Sequence, residues 1–177
     1  MGVQIGAKPD SGFDDPIGML TDCHRRIEQF LKILTTVVER AAGRNLTGEE
    51  TSAVQSALRY FRAGGVRHTA DEEESLFPRL RAGAANDSLA KLDALEDDHH
   101  EASDLHDTVE RLYSAWIANG KLEPAQEQQL RACADRLSAL YRAHIQVEEA
   151  IVFPQAAQVL DHAAIATMGE EFRARRA

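Results

Sequence analysis

The stretch His144-Ile145-Gln146-Val147-Glu148-Glu149, followed by Ala150-Ile151-Val152 and Phe153-Pro154, has a twin upstream. The twin is His68-Thr69-Ala70-Asp71-Glu72-Glu73, then Glu74-Ser75-Leu76 and Phe77-Pro78. In both copies a Glu follows the His at i+4, a second Glu at i+5, and Phe-Pro at i+9 and i+10. On a helix, i and i+4 lie one above the other on the same face. Each copy therefore offers one imidazole and one carboxylate to the same point in space. Two such copies on two helices of one domain outline a metal site.

Working outward, the repeat extends to the helices before each copy. His24 matches His99 at an offset of 75, while His68 matches His144 and Glu72 matches Glu148 at an offset of 76. Leu20 and Leu95 each precede their histidine by four. Asp15-Pro16 reads as an N-cap and first helical residue. Ile17, Leu20, His24, Ile27, Leu31, Leu34 and Val38 then step by three and four to a stop near Gly43. Thr47-Gly48-Glu49-Glu50 is a capping box that opens the second helix. Gly64-Gly65 predicts a kink or brief break one turn before His68, and Pro78 a kink or an end. Gly83 to Asp87 reads as a connection. A third helix runs from Asn86-Asp87-Ser88 to Asn119-Gly120, with Leu92, Leu95, His99, Ala102, His106 and Val109 in its stripe. The fourth starts at Glu123-Pro124, carries Leu130, Cys133, Leu137, Leu140, His144, Val147 and Ile151, and bends or ends at Pro154.

The pattern predicts an all-α fold: an up-down-up-down four-helix bundle made of two repeated helical hairpins. The chain divides into a loose N-terminal arm over 1–14, the bundle over 15–160, and a short fifth helix or tail over 161–177. The basic Arg173-Ala174-Arg175-Arg176 is expected to be solvated. At 177 residues one domain can bury a continuous core, and the net charge of −9 argues against nucleic acid as a partner. Cys23 and Cys133 lie far apart without CxxC spacing, as expected of free cytosolic thiols. No apolar run is long enough to span a bilayer and no signal-peptide core is present, so a cytoplasmic protein is expected. Nothing specifies monomer over homodimer.

Four histidines on core stripes, two of them with an i+4 Glu, are hard to stabilise in a bundle core without a cation, since buried carboxylates are costly unless paired or metal-bound. The candidate ligands are His24, His68, Glu72, His99, His144 and Glu148. Two glutamates suit bridging between two ions, each ion then taking two histidines and keeping an open position. Mixed imidazole–carboxylate sites with open positions favour redox-active iron, as an oxo- or hydroxo-bridged pair, with manganese or zinc as other occupants. His100 competes with His99 but falls off the Leu95–His99–Ala102 stripe. His106 lies roughly 10 Å along the axis from His99, which suits a supporting or core role. Glu96-x-x-His99 occurs once without a twin and reads as chance, and His162 as surface. Asp71, Glu73, Glu74 and Glu149 form a solvated acidic face or accept from ligand imidazole N–H groups. Cys23 points off the stripe as a structural thiol.

The two H-x3-E-E-x3-FP blocks, each preceded by a helix with Leu-x3-His, resemble the hemerythrin-like, or HHE cation-binding, domain family over about residues 14 to 160. The spacing is similar to the diiron domain of bacterial repair-of-iron-centres proteins. The resemblance implies terminal ligands at His24, His68, His99 and His144, with Glu72 and Glu148 as bridging carboxylates. It implies a non-haem diiron protein that binds or senses O2, NO or peroxide, or handles iron. Another class of function is a diiron enzyme, a peroxidase or nitric-oxide reductase, or repair of iron–sulfur centres. A third is an interaction module whose metal-dependent folding exposes a partner surface. Oxygen-carrying hemerythrins have a second histidine one turn after the third-helix ligand, where this sequence has Ser103, and an Asp five residues past the last His, where it has Glu149. One histidine fewer leaves a more open site. The iron-repair proteins carry an N-terminal cysteine-containing segment that this sequence lacks.

Overall fold

The computed structural model describes residues 10–83 and 86–177, without the side chains of 83 and 86–89. Residues 1–9 of the expected arm and 84–85 of the expected connection lie outside the described residues. Among those described, every regular element is a helix. α1 spans Pro16–Ala41; α2 (Gly48–Tyr60), α3 (Val66–Asp71) and α4 (Phe77–Gly83) form one run; α5 spans Asn86–Asn119. α6 (Pro124–Val147) continues into α7 (Phe153–Val159), and α8 spans His162–Ala174. α6 packs against both α1 and α5, and α1 also lies against α2.

The helix starts follow local chemistry. The Asp15 carboxylate accepts the Gly18 N–H at 3.0 Å, satisfying a donor that has no partner inside α1. Thr47 and Glu50 bond reciprocally, the Glu50 N–H to Thr47 Oγ1 at 3.1 Å and the Thr47 N–H to Glu50 Oε2 at 2.8 Å.

The expected breaks at Gly64-Gly65, Pro78 and Pro154 are instead wide π turns, over Phe61–Gly65, Glu72–Leu76 and Glu148–Val152. An interior proline removes one backbone donor, and its ring collides with the carbonyl four residues back. Here the N–H of the residue before each proline reaches back five residues, Phe77 to the Glu72 carbonyl and Phe153 to that of Glu148. The extra residue in the turn makes room for the ring, and the helix continues. At Gly64 a Cβ would stand 2.8 Å from the Tyr60 ring, so the first wide turn needs glycine for close approach.

The core is split in two. One cluster includes Ile27, Leu31, Leu34, Phe61, Val109, Trp116, Leu130 and Leu137. The other includes Leu20, Leu76, Phe77, Leu95, Val152, Phe153, Met168 and Phe172. His24 falls between Leu20 and Ile27, and His99 between Leu95 and Ala102, so a polar layer separates two apolar ones. Burying a leucine or phenylalanine contributes about 1.5–3 kcal/mol, and this surrounding apolar material holds the polar layer in place.

The C-terminal segment departs from expectation. Arg175 and Arg176 are only 18% and 22% exposed and both pair with Asp71, at 3.0 and 2.6 Å, rather than standing in solvent. Asp71 is fully buried, and a buried carboxylate needs such partners. Arg175 also reaches Ser75 Oγ at 2.9 Å, and Arg79 pairs with Glu171 at 2.8 Å, tying α8 to the α3–α4 run. A Cβ on Gly169 would meet the Phe13 carbonyl oxygen at 1.9 Å, so α8 lies directly on the backbone of residue 13. The Ser11 N–H donates to Asp22 at 2.5 Å, so residues 10–14, read as loose, lie against the bundle.

Candidate metal centre

Each of four helices delivers one imidazole to a single buried layer: His24 from α1, His68 from α3, His99 from α5 and His144 from α6. Glu72 and Glu148 open the wide turns that follow α3 and α6. Both carboxylates are 0% exposed and all four imidazoles are buried. His68 Nε2 lies 3.2 Å from Glu72 Oε1, and His99 Nε2 lies 3.2 Å from Glu72 Oε2. His24 Nε2 is 3.0 Å and His144 Nε2 is 3.3 Å from Glu148 Oε2. Two sets result, each with its ligating atoms within 4.8 Å of one another. One is His24, His68, Glu72 and Glu148; the other is Glu72, His99 and His144. Glu72 is common to both.

These approaches are not hydrogen bonds. The Nε2 atoms of all four histidines and both oxygens of Glu72 and of Glu148 are buried without a hydrogen-bond partner. A single unsatisfied buried polar group costs about 1–3 kcal/mol, and here they converge on one layer. Lone pairs that face each other around a shared space fit cations, since a cation accepts electron density from every one of them.

The electrostatics of the layer point the same way. Burial, reinforced by the neighbouring Glu148 charge, pushes the Glu72 carboxyl well above its ordinary range. Burial also acts to raise Glu148, but the imidazoles of His144 and His24 against it more than offset this and hold it low. Burial pulls His24 and His144 down, and Glu148 outweighs it, so both are raised. His68 is lowered well below its usual value, by burial and then by the His24 charge. Two carboxylates this close do not both ionise without positive charge between them.

Three outer contacts each orient one of the rings. His24 Nδ1 bonds Glu149 Oε1 at 2.9 Å, and His99 Nδ1 bonds Glu73 Oε1 at 2.8 Å. His144 Nδ1 bonds Asp98 Oδ2 at 3.3 Å. A carboxylate accepting the Nδ1 proton fixes the tautomer that leaves Nε2 free to ligate.

All six expected ligands thus meet in one layer. His99 rather than His100 enters it; His100 is exposed and bonds the Glu96 carbonyl at 2.8 Å. Glu96 pairs with Arg81 at 2.8 Å, away from the layer, and His162 is exposed. Of the four acidic residues left between two roles, Glu73 and Glu149 back imidazoles, Asp71 is locked by arginines and Glu74 pairs with Arg175 at 3.1 Å. Cys23 and Cys133 are free thiols. The sequence reading missed Asp98, whose counterpart in the repeat is Cys23, so the twin offered no hint. It also missed Tyr141, which lies one turn before His144 and packs edge-on to it at 6.4 Å between ring centroids; the i, i+3 spacing was the available signal.

The family model of the hemerythrin HHE cation-binding domain matches residues 15–156, and the chain belongs to that family. It is also similar to an uncharacterized protein of Haemophilus influenzae, 27% identical over 169 residues that cover 93% of this chain and 91% of the relative.

Proposed function

We propose that this chain is a non-haem diiron protein that binds or senses a small oxidant: O2, NO or peroxide. His24 and His68 would hold one ion, His99 and His144 the other, and Glu72 and Glu148 would be shared between them. Iron held there would supply one- and two-electron chemistry toward such ligands. The supporting observation is the set of inward Nε2 and carboxylate atoms, all buried and all without hydrogen bonds. The chain's own contribution is to orient the imidazoles through Glu73, Asp98 and Glu149 and to exclude water with the two apolar clusters on either side. Short links from Ala41 to Gly48 and from Asn119 to Pro124 support the up-down-up-down order of two hairpins. No helix among the described residues is long and apolar enough to cross a membrane, and the free thiols agree with a cytoplasmic location.

Elemental analysis of protein grown in iron-supplemented medium, with an optical spectrum before and after reduction, tests this reading. We expect about two irons per chain and a near-ultraviolet band of a bridged pair that reduction bleaches. Metal at background, or metal retained after the double change His68→Ala and Glu72→Ala, would overturn it. Turnover of peroxide or NO with an added reductant would move the assignment from binding protein to enzyme.

A further inference from the structure

A cavity of about 400 Å³ opens between the α2–α3 run, α5 and α6 and reaches His99. Its inner wall is His99, Ala102, His106 and Tyr141, and the exposed Ser103 lines it nearer solvent. At its mouth Arg62 and Glu110 form an ion pair at 2.5 Å. The repeat shows why space exists on this face. Ala102 corresponds, 75 residues on, to Ile27, which is fully buried in the core. The open face thus has Ala where the equivalent position has a fully buried Ile. The same face reaches His99, which clusters with Glu72 and His144.

One polar device lines the inner wall. His106 Nε2 and the Tyr141 hydroxyl lie 3.1 Å apart, with the Phe61 ring 4.3 Å from His106 between centroids. Burial lowers the His106 pKa to about 4, so the imidazole is neutral at physiological pH. With its proton on Nε2, His106 donates to the Tyr141 oxygen and leaves the hydroxyl hydrogen for another acceptor. We propose that this cavity is the entry path for a small exogenous ligand, that the ligand docks on the His99/His144 side of the centre, and that Tyr141, held by His106, is its hydrogen-bond donor. The inference rests on the metal reading above. Tyr141 touches the ligand, and His106 is the positioning residue. Tyr141 selects ligands of two or three atoms that carry an acceptor beyond the atom facing the centre, as O2, NO and azide do.

The test uses iron-loaded, full-length protein with azide and NO as probes, and iron content is measured for every variant. Tyr141→Phe keeps the ring and removes the donor; it should retain iron, weaken azide roughly 5- to 10-fold and shift the N–O stretching frequency of the NO adduct. His106→Leu should reproduce part of that shift, and His106→Gln, which restores a donor, should reverse it. Ser103→Trp, which fills the entry path, should slow azide binding by at least about tenfold. Wild-type affinity and an unshifted stretch in Tyr141→Phe, or a wild-type azide rate in iron-loaded Ser103→Trp, would overturn the proposal while leaving the metal reading standing. Absence of iron from the wild-type protein would overturn both, and the elemental analysis identifies that case.

Discussion

The second hairpin holds His144 with Asp98 at 3.3 Å from its Nδ1, whereas the first holds His68 with no hydrogen-bond partner on the same atom. Asp98 directly precedes His99, and the residue in that place before His24 is Cys23. The other two outer contacts are exchanged between hairpins, with Glu73 of the first backing His99 of the second and Glu149 of the second backing His24 of the first. The inward groups are therefore the same in both halves, while their support differs. Asp71 with its two arginines in the first hairpin answers to Val147 in the second, and His106 in the second answers to Leu31 in the first. Duplicated geometry at the centre tolerates unequal surroundings because the inward groups are set by helical phase, whereas the outer partners only orient them.

The largest effect should come from a shared carboxylate, and Glu72 lies in both clusters of inward atoms. Glu72→Ala should lower metal content from about two ions per chain to background, whereas His24→Ala, which touches one set, should leave about one. Equal losses measured by elemental analysis would remove the distinction between the sets. Next in size is the buried charge peculiar to the first hairpin. Truncation after residue 172 leaves Asp71 without its arginines and should cost about 3–5 kcal/mol in urea unfolding. Adding Asp71→Val, the residue type of the equivalent position, should recover most of that loss; failure to recover would show that the tail acts through other contacts.

His106 against Leu31 gives a pH test. The folded pKa, about 4, lies below the ordinary 6.5, so between these values the unfolded chain binds the proton more readily. Stability from this group is present above pH 6.5 and is lost as pH falls toward 4, by up to about 3 kcal/mol. His106→Leu should therefore unfold with a shallower pH dependence than the wild type over that window, and parallel curves would contradict the assignment. The smallest effect concerns the outer contacts. Asp98→Ala should weaken metal affinity roughly 10- to 100-fold, while Cys23→Ala should change it by less than about threefold. Similar losses for both, by competition with a chelator of known affinity, would mean that Cys23 supports the centre as Asp98 does.

Much of this is legible in the sequence. A histidine and a glutamate four apart must share a helix face, and apolar residues at three- and four-residue steps place that face inward, so the six inward residues follow from chain-local geometry alone. The family resemblance rests on the same blocks, and their His and Glu side chains meet in one buried layer. The N-caps at Asp15 and Thr47 were equally local.

What periodicity does not reach is the choice among solvent-side acids and the consequence of a proline. Glu73, Glu74 and Glu149 look alike along the chain; only the approach of a second helix makes Glu73 and Glu149 partners of His99 and His24 and gives Glu74 to Arg175. Pro78 and Pro154 forbid an ordinary turn, but whether the helix breaks or widens depends on the packing that Phe77 and Phe153 gain by continuing it. Arg175 and Arg176 look like a basic tail until α8 folds back and meets buried Asp71. The sequence by itself determined which residues face the centre, because a helix converts spacing into direction. The tertiary structure decided which groups back them, which side is open and what the tail covers, because those depend on distances between segments far apart in the chain.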